Sequence, residues 1–147
     1  MRLTRFTDYS LRVLIYLGQN NQDRVTIHQI SEDYDISKNH LMKVVSNLTR
    51  SKFVIAQRGP GGGIQLNRSP EDINLSDVIS VTEKHLHQHD VPNSTNADEL
   101  TADTRLSDYL QQALNAYLEA LKCFTLADVL ESQTNASQIL ELNEKAA

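Results

Sequence analysis

Cysteine is nearly missing from this chain of 147 residues, where Cys123 stands alone. A single thiol excludes an intramolecular disulfide framework. It also excludes any site that needs two or more thiolates from one chain, such as zinc ribbons and all-cysteine iron–sulfur clusters. Long apolar runs are missing too. Hydrophobic residues make up 39% of the chain, enough for a core, yet no stretch approaches the roughly 18 residues of a membrane span, so no membrane partner is expected. The opening residues carry Arg2 and Arg5 with no uninterrupted apolar region or small-residue cleavage pattern behind them. That argues against a secretory signal and makes the cytoplasm the expected compartment. There is no internal repeat, and the length suits one domain plus an accessory element.

Charge is present but unevenly spread. The net −5 averages a front of +5 over residues 1–68 (10 Lys and Arg against 5 acids) and a rear of −10 over residues 69–147 (4 against 14). Such asymmetry suits a polyanion-facing module joined to an acidic one. Scattered surface charge produces the same totals, so the placement of the basic residues has to decide.

Thr4 to Gly18 reads as a helix, and six of the seven residues from Leu11 to Leu17 are apolar, which predicts a central helix wrapped by its neighbours. Thr26 and Gln29 have the spacing of a capping box for a short second helix to about Asp33. Ser37 is the expected N-cap of a third helix reaching about Ser51, with Leu41, Val44, Val45 and Leu48 at i, i+3, i+4 and i+7. Two short helices around a tight turn form a helix-turn-helix.

Opposite that apolar stripe, at about 100° per residue, lie Asn39, Lys43, Ser46 and Arg50, with His40 beside the stripe. None is acidic. Amides, hydroxyls and cations can bond base edges in the major groove or hold phosphates, whereas an ordinary solvated face usually mixes in carboxylates. Phe53 to Arg58 and Ile64 to Asn67 then read as two strands joined by a flexible glycine-rich hairpin, Gly59 to Gly63, flanked by Arg58 and Arg68. A phosphate-cradling loop is the other reading of those glycines, but no Gly-Lys-Ser/Thr follows and the loop returns into a strand.

Ser69 to Asp72 reads as a linker, and Leu75 to about Lys84 as a fourth helix with Ser76 as its expected cap. Residues 86–103 read as an exposed polar loop, long enough to be functional or disordered. After it, Leu106, Leu110, Ala113, Tyr117, Leu121 and Phe124, joined by Tyr109, Leu114 and Leu118, trace a broad apolar stripe. So small a domain has little core left to cover it. A second copy of the chain is the expected partner, with packing inside the monomer as the alternative. Thr125 can cap a short helix through Leu130, and a polar tail follows.

The fold class is therefore mainly α with a small β-hairpin wing: a winged helix-turn-helix over 1–84, an effector-type loop over 85–103, a dimerisation helix and short terminal helix over 104–131, and a flexible tail over 132–147. Within it, Leu3 to Arg12, Ile36 to Val44, Arg58 to Ile64 and Phe124 to Val129 together resemble the Rrf-two family of bacterial winged-helix transcription regulators. The resemblance implies a homodimer on a pseudo-palindromic DNA operator, third helices in successive major grooves and wings on the flanking minor grooves. It places Ser37, Lys38, Asn39, His40, Lys43, Ser46 and Arg50, with Arg58, Gly59, Pro60 and Gly61 of the wing, at the DNA. Cluster-sensing members use three cysteines in the loop before the dimer helix. Here Asn93, Asp98 and Thr104 stand at about those places, and none is a soft donor. Asp8 matches the partner-subunit carboxylate of nitric-oxide sensors but alone holds no cluster. No cofactor is therefore expected, an iron–sulfur cluster least of all.

Two other features bear on sensing. His85, His87 and His89 alternate so that, in an extended chain, they would face one side and could bind a metal; the plainer reading is three solvated histidines, or protonation at about pH 6 changing the charge of the loop. Cys123 is expected to be a buried small hydrophobe. The whole reads as a DNA-binding regulator, a repressor; one alternative is a regulator controlled by a partner protein, metal or small metabolite at the 85–103 loop. An interaction adaptor without DNA binding is the rival, and no nucleophile, base and orienting group can be assembled for an enzyme.

Overall fold

Thr4 sits in an extended backbone conformation and its hydroxyl oxygen accepts the Thr7 N–H, one of the donors that the first turn of a helix leaves without an intrahelical partner. The helix it starts is α1 (Arg5–Gln19). In this computed structural model residues 3–20, 23–83 and 100–132 are described, the last segment without the side chains of 100–104. Val13, Leu14 and Leu17 of α1 are fully buried, and α1 packs on α3, α4 and β2, so it is the central helix its composition predicts.

Helix α2 (Ile27–Tyr34) carries the complete capping box: Thr26 Oγ1 accepts the Gln29 N–H, and the Thr26 N–H donates to Gln29 Oε1 at 2.8 Å. Helix α3 (Lys38–Arg50) has Ser37 at its N-cap position, but that hydroxyl makes no capping bond, contrary to expectation. Tertiary packing holds the helix instead. Leu41, Val44, Val45 and Leu48 are all in the core against α1, and burial of a stripe outweighs one cap.

Strands β1 (Val54–Gln57) and β2 (Gly63–Leu66) pair antiparallel, with Val54 opposite Leu66 and Gln57 opposite Gly63. Phe53, expected in the first strand, is buried just before it, and its carbonyl takes the Asn67 N–H. Val25 adds a third rung: its N–H donates to the Ile64 carbonyl and its carbonyl accepts the Ile64 N–H, at 3.0 and 2.7 Å.

A 3-10 turn, Pro70–Asp72, occupies the expected linker and leads into α4 (Leu75–Thr82). Its cap is Asn74, not Ser76. Asn74 Oδ1 accepts the Ser76 N–H, while Ser76 is the second residue of the helix and buried. The backbone decides this, because Asn74 is the last extended residue before the helix. Helix α5 (Leu100–Leu121) begins ahead of residue 104, where it was expected, which takes the last residues from the anticipated loop. Residues 84–99 and the tail from 133, including the three candidate histidines, lie outside the described residues.

The end of α5 is stitched to the start of α4. Leu75 N–H donates to Phe124 O, Leu126 N–H to Ile73 O, and Asn74 Nδ2 to Lys122 O. Leu126 is fully buried and Thr125 caps helical residues 126–132, its N–H and hydroxyl both reaching Asp128 Oδ2. Those bonds hold the Asp128 carboxyl below the ordinary aspartate range, the backbone N–H contributing most. At the other end Gly18 admits Leu130, whose Cδ1 would lie 2.6 Å from an added Cβ.

Because Leu14 is wholly buried among α1 contacts, Leu14→Ala is expected to cost about 3 kcal/mol of unfolding free energy. Urea denaturation checks this; a loss under about 1 kcal/mol would mean that α1 is not the centre of the core.

Candidate nucleic-acid interface

The buried stripe of α3 turns its other side outward. Asn39, Met42, Lys43, Ser46 and Arg50 line one shallow depression, and all five are exposed. The structure thus brings together the four residues predicted from helical spacing and adds Met42, which polarity-based reading passed over. No acidic residue lines the depression. Ser37 and Lys38 are exposed at the N-terminal end of the helix, where free N–H groups and the helix dipole favour an anion. His40 points toward α1, its ring 6.0 Å from that of Tyr9.

The expected hairpin is present, and its loop is closed by a turn. The Gly62 N–H donates to the Gly59 carbonyl at 2.9 Å, and Gly59 has φ +98°, a conformation costly for a side chain. A Cβ on Gly62 would lie 2.4 Å from the Gln57 carbonyl oxygen and 2.7 Å from that of Gly59, so only glycine fits. Arg58, Gly59, Pro60 and Gly61 are exposed at the tip. Arg68, expected to flank the hairpin, has its guanidinium 5.1 Å from the Phe53 ring centroid, a cation–π placement at the base of the wing.

Arg24 was not foreseen at the site. Its Nε donates to Gln65 Oε1 at 3.4 Å and a terminal nitrogen donates to Gln57 Oε1, so one guanidinium spans both strands. With the Val25 pairing beside it, the side chain braces the wing against the segment before α2. The only sequence signal was an unassigned positive charge in a polar turn.

A second polar cluster joins α1 to α2. Arg12 pairs with Asp8 at 3.0 Å and lies 5.7 Å over the Tyr34 ring, and the Tyr16 hydroxyl donates to Asp33. That hydrogen bond, then burial, raises the Tyr16 phenol above its ordinary range. The Asp8–Arg12 pair is about half exposed, a surface ion pair one helical turn apart. Among the described residues no group of three or more His, Cys, Asp or Glu is placed to hold a metal ion. Cys123 is exposed, not buried as expected, because it falls in the turn after α5 ends and its side chain points off the core.

Helix α5 divides its apolar stripe. Leu114, Tyr117, Leu118 and Leu121 are half-buried, and burial followed by the charge of Glu83 raises the Tyr117 phenol. Leu106, Tyr109, Leu110 and Phe124 keep 49–64% of their surface exposed, and Ala113 is exposed as well.

Residues 3–132 match the Rrf2 (Rrf-two) family, described as "Iron-dependent Transcriptional regulator". The chain belongs to the Rrf2 family. It is similar to the HTH-type transcriptional regulator NsrR of Bacillus subtilis strain 168, 40% identical over 146 residues that cover 98% of this chain and 100% of that one. NsrR of Bacillus licheniformis is 42% identical over 142 residues, covering 95% and 99%. Two solved structures share the fold. The global cysteine regulator CymR of B. subtilis has a TM-score of 0.69 at 22% identity, covering 90% of this chain and 98% of that one. IscR of T. potens has a TM-score of 0.70 at 23% identity, covering 92% and 90%.

This member of the Rrf2 family is a winged helix-turn-helix, DNA-binding transcriptional regulator, and its mainly helical fold with one antiparallel hairpin is the one expected. No helix among the described residues is long and apolar enough to cross a membrane. The word "iron-dependent" raises the question of donors. The whole sequence holds one cysteine, which is exposed beyond α5. That donor set does not fit a cysteine-ligated iron–sulfur cluster.

Arg24→Ala is expected to weaken duplex binding by roughly three- to tenfold, and to add little when Arg58→Ala has already removed the wing-tip cation. Fluorescence anisotropy on both single variants and the double variant checks this. Full additivity would mean that Arg24 touches DNA itself and does not act through the wing.

Proposed function

We propose that the chain is a homodimeric repressor, not an enzyme, that reads a pseudo-palindromic operator with Ser37, Lys38, Asn39, His40, Lys43, Ser46 and Arg50 and steadies it with Arg58 to Gly61 of the wing. The acid-free face of α3, held outward beside a braced wing, carries this reading. Lys43 and Arg50 supply phosphate attraction that releases counterions, and Asn39 can bond an adenine edge with both atoms of its amide. The uncovered face of α5, with Leu106, Tyr109 and Leu110 on it and Phe124 in the turn just past its end, supports a second copy as the dimer partner, since so much exposed apolar surface is unfavourable in water. Two copies present two α3 helices, as a two-fold operator requires.

Sensing proceeds without an iron–sulfur cluster, because the soft donors are lacking. A metabolite or partner protein acting on the 85–103 segment replaces it, in a cytoplasmic regulator. The B. subtilis and B. licheniformis NsrR proteins support the regulator class, and the signal is the point on which this chain departs from an iron-dependent scheme.

Duplex affinity is expected to fall steeply with salt. Lys43→Ala reduces the slope of log affinity against log salt by about 0.9 and weakens all duplexes, whereas Asn39→Ala relaxes base preference by about 1–3 kcal/mol at one position. Anisotropy titrations across salt concentrations would overturn the recognition assignment if neither variant differs from the parent. Anaerobically purified protein is expected to sediment as a dimer and to show neither stoichiometric iron nor a visible iron–sulfur absorption. A monomer would remove the operator symmetry, and an iron chromophore would remove the clusterless scheme; zinc or copper in the same metal analysis would turn attention to His85, His87 and His89.

A further inference from the structure

Met42 is the one apolar side chain of α3 that the core does not use. Leu41, Val44, Val45 and Leu48 are all at most 5% exposed, while Met42 keeps 50% of its surface open. It stands on the outward face one turn from Asn39 and Ser46 and next to Lys43, and lines the same depression as they do. An isolated surface methionine is ordinary elsewhere. Here it occupies the middle of the surface that faces a base-pair edge, where every other lining side chain is polar.

A thioether donates no hydrogen bond and accepts only weakly, so it is a poor match for the donors and acceptors of a base edge. Pressed against them it would strip their water and return little. The major groove offers one apolar feature, the C5-methyl of thymine. Methionine is unbranched and polarisable, and reaches such a methyl without a fixed rotamer. We propose that Met42 is a specificity-determining residue that selects thymine at one position of each half-site by covering its C5-methyl. This rests on α3 being the recognition helix, and adds a base identity that the polar residues do not supply.

Duplexes selected by the full chain from a randomised library provide the probe. Each thymine is replaced singly by deoxyuridine, which keeps the hydrogen-bonding edge and removes only the methyl group. One thymine per half-site is expected to show a loss of roughly three- to fivefold, the effect of uncovering one methyl. The loss persists in Met42→Leu and vanishes in Met42→Ala. Both variants keep the helix, since leucine and alanine are strong helix formers and the site is exposed. If no thymine shows a loss, or if it survives undiminished in Met42→Ala, Met42 does not read a methyl. Failure of the recognition-helix reading gives a different result: no sequence is enriched, and Asn39→Ala and Lys43→Ala leave affinity unchanged.

Discussion

The packing of α3 on α1 is the constraint on which the rest of the molecule depends. Leu41, Val44, Val45 and Leu48 lock into a core built on Val13, Leu14 and Leu17. A helix with a buried stripe has no freedom to roll about its axis, so burial on one side dictates which side chains stand on the other. The outward placement of Asn39, Lys43, Ser46 and Arg50 is thus a consequence of hydrophobic packing. Polar residues with no core role are carried outward by apolar residues that have one.

The wing follows a similar logic by different means. A two-stranded hairpin is marginal alone in water. This one is secured by the Val25 rungs to Ile64, by the Arg24 guanidinium across Gln57 and Gln65, and by Arg68 over the buried Phe53. The closed Gly59–Gly62 turn then presents Arg58 at a defined place relative to α3. The outward face of α3 and the wing are built on one core, so packing fixes their relative placement.

The donor set is where this chain differs from the cysteine-rich loop that its family resemblance implies. The family match spans residues 3–132, and Leu126 is fully buried in the core beside α4. Soft donors are what the sequence lacks, with one cysteine in the whole chain, exposed beyond α5. Fold and signal chemistry are separable, because the fold is held by apolar contacts that no ligand residue contributes to.

Local patterns in the sequence determined the helices, the capping box at Thr26 and Gln29, the hairpin and the face of α3, because each depends on neighbours within a few residues. The same short-range logic failed at Ser37, where packing makes the cap dispensable, and at Ser76, where the last extended residue proved to be Asn74. The tertiary structure alone decided that Val25 joins the sheet, that Arg24 braces it, that Cys123 is exposed and that Met42 stands uncovered. Those outcomes rest on contacts between segments far apart in the chain, or on which face the core leaves open, and neither periodicity nor composition encodes them.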